Sequence, residues 1–166
     1  RMAILVADVV GHGVAAALLM AKLSAEARYC LASVARPDVA VRQLNDRMSG
    51  LGLDRFVTFI LIVLDQQSHE ITIVNAGHML PILCKTDGSI EEIGEEEAGI
   101  PLGIMDDYEY EQFNITLEPG ASLTLYTDGI NEAFNEQDEQ YGEERLLELV
   151  TGSPVDSVER GEMIMA

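Results

Sequence analysis

Positive charge is scarce in this sequence. Ten Lys and Arg face 29 Asp and Glu, for a formal net charge of −19. The deficit is uneven. Residues 1–55 carry seven basic and five acidic side chains, whereas residues 56–166 carry three and 24. Binding to nucleic acid rests on neutralising phosphates, so most of this surface would repel it. Contact with an anionic membrane surface is disfavoured on the same ground. The basic exception lies in the first 55 residues. There Arg28, Arg36, Arg42, Arg47 and Arg55 read either as solvated arginines on helices or as a dock for an acidic partner.

Long hydrophobic runs are also missing. No stretch approaches the roughly 20 apolar residues needed to cross a bilayer. The start lacks a basic leader region and a cleavage pattern, so no signal peptide is read there. It opens on Arg1 rather than Met, and the sequence is read as a piece of a longer protein. Cysteine is rare. Cys30 and Cys84 sit in apolar patterns with no metal-type spacing, which suits buried free thiols and a reducing cytoplasm. No Gly-Lys-Ser/Thr phosphate loop occurs, and no Gly-x-Ser-x-Gly elbow. Neither cysteine has a basic or glycine-rich setting that would activate it.

What is present is enough apolar material for a core, at 48% hydrophobic, in a length that suits one domain over 1–166. Met2–Ala7 reads as a buried strand. Val14–Ala35 reads as a helix, with Leu19, Leu23, Ala27, Cys30, Leu31 and Val34 on one face at steps of three and four. Pro37 interrupts, Asp38–Met48 resumes as a helix, and Gly50 and Gly52 stop it. The predicted result is a helical hairpin over 14–51 inserted between strands. The rest is mostly β. Phe56–Leu64 reads as fully buried and Glu70–Val74 as half-buried. Leu80–Cys84, Ile90–Ile93, Tyr110–Leu117 and Ala121–Thr127 read as further strands. Glu143–Val150 reads as a short helix, and Ser153-Pro154 as the start of another. Antiparallel pairs with segregated helices predict an α+β fold. The glutamates of Glu91–Glu97 read as a solvated loop rather than a calcium site.

Two aspartates close apolar runs ahead of glycines: Asp8, before Val9-Val10-Gly11-His12-Gly13, and Asp128, before Gly129. A strand-end carboxylate is a rigid oxygen donor, which a hard divalent metal requires. Asp8 reads equally well as the N-cap of the following helix. Gly11 and Gly13 permit a sharp turn and would let the Val9 carbonyl face a metal. His12 and His78 read as histidines that fix turns, or as groups moving a proton near neutral pH. Asp128-Gly129 alone is an ordinary turn signal. Its pairing with Asp8 raises it to a candidate, on the expectation that both segments lie side by side in one sheet core. Glu132 reads as solvated or helix-capping.

Together these blocks resemble the bacterial SpoIIE/RsbU-type branch of the PPM (protein phosphatase 2C-like) metal-dependent serine/threonine phosphatases. The likeness rests on Asp8-Val-Val-Gly-His-Gly13 with Ala16-Ala-Leu-Leu-Met20. It continues through Phe56-Val-Thr58, Val74-Asn-Ala-Gly-His78 with Pro81, Pro101-Leu-Gly103 and Pro119-Gly120. It ends with Leu125-Tyr-Thr-Asp-Gly-Ile130, Glu132-Ala133 and Tyr141-Gly142 with Arg145-Leu146. The blocks stand in family order over most of the chain.

The resemblance implies an αββα sandwich of two mainly antiparallel sheets holding two Mn²⁺ or Mg²⁺ ions. It implies Asp8, the Val9 carbonyl and Asp128 as ligands, with Gly11, His12, Gly129 and His78 behind them. The implied reaction is attack of an activated water on a phosphoserine or phosphothreonine of a regulatory, anti-anti-sigma-factor-like protein. The helices over 14–48 are where such enzymes are switched and paired as homodimers. Family members carry one more acidic ligand upstream and an Asp-Asp pair downstream of the segment matched here. The 166 residues alone are therefore expected to bind metal weakly and to be inactive. Ala15 stands where the family has proline and Ala121 where it has aspartate; neither is a ligand position. The alternative is a non-catalytic module of the same fold that binds a partner through helices 14–48.

Overall fold

An apolar spacing of three and four residues marks a helical pair after the first strand, and from position 57 the chain turns mostly to strands. The computed structural model describes residues 1–50 and 55–152. Its elements run β1 (Met2–Val9), α1 (Val14–Ser33), α2 (Pro37–Ser49), β2 (Val57–Asp65), β3 (Glu70–Ala76), β4 (Ile82–Cys84), β5 (Ile90–Glu92), β6 (Phe113–Thr116), β7 (Ser122–Thr124), α3 (Asp128–Asn131) and α4 (Glu143–Gly152). The predicted α+β class holds. The expected stop at Gly52, the 51 end of the hairpin and the helix start at Ser153-Pro154 lie outside the described residues. The chain divides into two compact units. One comprises Arg1–His78 with Gly94–Thr116, the other Met79–Ile93 with Leu117–Ala166.

The first unit holds a four-stranded antiparallel sheet in the order β1-β2-β3-β6, with α1 and α2 packed on it. Pro37 ends the linker and opens α2 at a position where a missing N–H costs nothing. Leu19, Leu23, Ala27 and Cys30 of α1 meet Ala40, Val41, Leu44 and Met48 of α2 over Phe59 and Leu61 of β2. Ile60 and Ile62 of β2 are also buried, so β2 is covered on both faces, as its unbroken apolar run predicted. Burying each such side chain contributes about 2 kcal/mol.

Two expectations change here. β3 extends beyond the predicted half-buried strand, and Ile73–Ala76 are all buried. β1, read as a buried strand, pairs with β2 alone among the described residues, and its Met2, Ile4 and Leu5 are 41%, 41% and 38% exposed. Helix α1 carries a second surprise. Opposite its core face it exposes Val14 (78%), Leu18 (66%) and Tyr29 (56%), with Ala21, Ala25 and Ala32 between and beyond them. It is apolar on both sides.

The second unit holds a three-stranded antiparallel sheet in the order β5-β4-β7. Its core gathers Ile82 of β4, Tyr126, and Leu146 and Val150 of α4. The Thr86–Ser89 turn joins β4 and β5, with Gly88 at φ 83°. The predicted strand Ala121–Thr127 shortens to Ser122–Thr124, and Tyr110–Leu117 shortens to Phe113–Thr116.

Candidate functional site

The register of β1 on β2 places the first candidate residue. Asp8 pairs with Thr58 and Val9 with Val57, and Val10 N–H donates to the Phe56 carbonyl at 3.3 Å. Asp8 therefore sits near the last rung of an antiparallel ladder. Its side chain is exposed, while that of Val9 is buried at 7%. The capping alternative for Asp8 falls away, because Gly13 is the N-cap of α1 and no side chain caps it. Gly11 and Gly13 take φ 97° and 84°, a region that disfavours any residue with a Cβ. These two glycines turn the chain from strand into helix and leave His12 exposed between them.

Opposite Asp8, Thr58 Oγ1 makes a 2.9 Å hydrogen bond with His78 Nδ1. His78 is 7% exposed and is fixed through its own backbone. The Asn75 side chain accepts from His78 N–H at 2.8 Å and donates to the His78 carbonyl at 3.1 Å. Gly77 turns at φ 68°, and a Cβ there would stand 2.5 Å from Pro101. The segment bearing Pro101 is itself pinned. Leu102 and Val57 exchange backbone hydrogen bonds at 2.9 and 3.0 Å, and Gly103 N–H donates to Asn45 Oδ1 at 2.9 Å. Tyr110 donates to the Ile100 carbonyl at 3.1 Å, and burial pushes its hydroxyl far above the usual phenol range. Asp8, Thr58, Asn75 and His78 thus form one connected set. Thr58, Asn45 and Asn75 had no assigned role in the sequence, because their partners lie on other elements or behind a turn.

Asp128 is placed differently from the expectation. It opens the four-residue helix α3 rather than ending a strand, and it is half-buried. Its predicted companion lies in another sheet: β1 belongs to the four-stranded sheet and β7 to the three-stranded one. Thr127 caps α3 in an extended conformation without a side-chain bond. Gly129 and Glu132 are exposed, and Glu132 N–H donates to the Asp128 carbonyl at 2.8 Å. Asn131, three residues from Asp128 on the same helix, has a buried Oδ1 with no hydrogen-bond partner among the described residues.

The donor chemistry fits a hard divalent cation. Asp8 and Asp128 are carboxylates with no ion-pair partner among the described residues. Within the second unit, the Asn131 Oδ1 near Asp128 is a further oxygen without a hydrogen-bond partner among the described residues. No group of three or more His, Cys, Asp or Glu able to hold an ion occurs among those residues. The arginines of the basic segment are mostly engaged. Arg36 pairs with Asp38, Arg42 with Asp107 and Glu109, and Arg47 with Glu26. Both cysteines are free; burial pushes the Cys30 thiol up.

A family model described as Stage II sporulation protein E (SpoIIE) matches residues 1–163. The phosphoserine phosphatase RsbU of Bacillus subtilis (strain 168) is 30% identical over 139 residues, covering 80% of this chain and 40% of that protein. Among solved structures, the RsbU and RsbW domains of a Mycobacterium tuberculosis protein superpose with a TM-score of 0.77 at 25% identity, over 98% of this chain and 47% of that one. The SiaA PP2C domain of Pseudomonas aeruginosa gives 0.82 at 21% identity, over 98% and 66%. The catalytic domain of the serine/threonine phosphatase PstP, solved with two manganese ions, gives 0.69 at 15% identity, over 98% and 79%. The fold is that of PP2C-type domains. The chain spans less than half the length of the RsbU it matches.

Proposed function

The chain belongs to the SpoIIE family, and from that premise we propose that the protein containing it is a metal-dependent protein serine/threonine phosphatase acting in signal transduction. The observation that carries this is Asp8, an exposed carboxylate without a cationic partner on the last turns of an ordered ladder, within a family match over 1–163. Asp8, the Val9 carbonyl and Asp128 would hold Mn²⁺ or Mg²⁺. A bound divalent ion supplies Lewis acidity and lowers the pKa of a coordinated water. The chain's own residues do the positioning. The β1–β2 register fixes where the Asp8 carboxylate stands, and the two positive-φ glycines hold the Val9–Gly13 turn. The Asn75–His78–Thr58 set stiffens the rung opposite Asp8. Gly11, His12, Gly129 and His78 back the ligands rather than replace them.

The substrate is a phosphoserine or phosphothreonine on a small regulatory protein of the anti-anti-sigma-factor kind. The apolar outward face of α1 supports a homodimer formed through helices 14–48. The free cysteines support a cytoplasmic location; no described helix is long and apolar enough to cross a membrane. Nucleic acid is not a partner, given the charge of −19.

The rival reading, a non-catalytic module binding a partner through helices 14–48, draws on the absence of a three-donor cluster among the described residues. One experiment separates the two. The full-length protein should release phosphate from a phosphoserine protein with Mn²⁺ but not with EDTA. Asp8→Asn should lower that rate at least about 100-fold, because an activated water alone is worth several kcal/mol. An inert full-length protein, or an unimpaired Asp8→Asn, rejects the phosphatase reading.

A further inference from the structure

Arg55 stands apart from the other arginines. It precedes β2, and its Nη1 donates at 2.8 Å to the carbonyl of Val10, in the turn that follows Asp8 and Val9. The guanidinium lies against Gly11. A Cβ built there would overlap Nη1 and stand 3.3 Å from Cζ and 3.7 Å from Nη2. The φ of 97° is what requires the glycine; the guanidinium, the end of a flexible side chain, settles into the space its missing Cβ leaves.

Its charge is left over. Among the described residues Arg1, Lys22, Arg36, Arg42, Arg47 and Lys85 each have a carboxylate within 4 Å. Arg28, Arg55 and Arg145 have none there, and of these three only Arg55 is tied down by a hydrogen bond among the described residues, to a carbonyl two residues from Asp8. In a chain with 29 acidic residues and ten basic ones, an anchored cation without a carboxylate is unusual. The bond to Val10 does not explain it, since Val10 is 43% exposed and water would serve that carbonyl as well.

We infer that Arg55 binds the phosphoryl group of the substrate at the Asp8 turn. The inference rests on the phosphatase reading for the substrate's identity. A guanidinium has five N–H donors in a planar fork, and the bond to Val10 uses one of them. The rest match two oxygens of a phosphate monoester in bidentate fashion. The need is electrostatic: a dianionic phosphate approaching Asp8 meets a surface dominated by carboxylates. One fixed cation at the turn offsets that repulsion and orients the ester, and the tether to Val10 holds the fork in place before substrate arrives.

The test uses the full-length protein with inorganic phosphate as probe. Phosphate affinity is read by calorimetry in the presence of Mn²⁺, beside KM and kcat for a phosphoserine protein. Arg55→Gln keeps a donor for the Val10 carbonyl without the charge; Arg55→Lys keeps the charge without the fork. Arg55→Gln should weaken phosphate binding about tenfold or more and raise KM, because a charged hydrogen bond is lost. Arg55→Lys should recover part of that affinity, and thermal stability should change little in either variant. Unchanged phosphate affinity in Arg55→Gln overturns the assignment, as does a wild type that binds no phosphate. Equal loss in both variants accompanied by equal loss of thermal stability also overturns it, since that outcome marks a structural role. Phosphate binding that depends on Arg55 in a protein that hydrolyses nothing would reject the phosphatase reading and keep the arginine.

Discussion

Removing the Asn75 side chain should damage both the fold and the site beside it. Asn75 is 2% exposed and bonds both backbone groups of His78, itself 7% exposed. In Asn75→Ala those two groups lose the amide that serves them here, at a depth where water enters poorly. Leaving a buried polar group without its partner costs about 1–3 kcal/mol. Two such groups predict a loss of about 2–5 kcal/mol, a large fraction of the roughly 5–15 kcal/mol a domain has. Urea unfolding measures it. With a slope of about 2 kcal/mol/M the midpoint should fall by about 1–2 M. Asn75→Asp is the control. It keeps the acceptor for His78 N–H but puts a carboxylate at a site that disfavours charge, so its folded pKa should rise. A raised folded pKa means stability is greatest at low pH and is lost as pH rises, so Asn75→Asp should be closer to wild type near pH 4 than near pH 8. A midpoint for Asn75→Ala within about 0.3 M of wild type would show that the two hydrogen bonds carry no such weight.

Two further outcomes follow from the helices. If the outward face of α1 joins two copies, Leu18→Glu should shift the full-length protein from dimer to monomer in light scattering and leave its melting temperature nearly unchanged, since Leu18 is 66% exposed. Leu23→Ala, at 1% exposed, should instead cost about 2–5 kcal/mol without changing assembly, and a reversal of the two results would refute the proposed division of α1 into core and outer faces. The hydrogen bond from Lys22, aided by Arg47, holds the Glu26 carboxyl below its ordinary 4.5. A lowered folded pKa contributes stability above that value and loses it as pH falls through the folded pKa. Glu26→Gln should therefore melt below wild type near pH 7 and converge with it near pH 3. A gap that widens in acid would contradict the assignment.

Much of the local structure was legible before any coordinates. The spacing of Leu19, Leu23, Ala27 and Cys30 predicted the buried face of α1, and all four are in the core. Pro37 marked the break between helices, and the run Phe56–Leu64 marked the buried strand observed as Val57–Asp65. The glycines at 11 and 13 adopt the positive φ their turn demands. The candidate site was less legible. Asp8 read equally as a cap or a strand-end ligand, and only the placement of Gly13 as the uncapped N-terminus of α1 removed the cap. Asp128 read as a strand end, yet the strand stops at Thr124 and the aspartate opens a helix. Asn131 carried no signal at all. Arg55 looked like one more solvated arginine, because its partner Val10 lies 45 residues away.

By itself, the sequence determined what each residue prefers from its near neighbours. It set the helix and strand periods, the turns that need glycine, the acidic balance, and the run of motifs that marks the SpoIIE family. Those properties are local or additive, so order and composition suffice to state them. Only the tertiary structure decided which face of α1 is left uncovered and which side chains meet across long separations. α1 is apolar on both sides, yet one side is packed and the other exposed, because burial is conferred by neighbours rather than by residue type. Arg55 acquires its meaning in the same way, since a charge is idle or paired according to what the fold brings within reach of it.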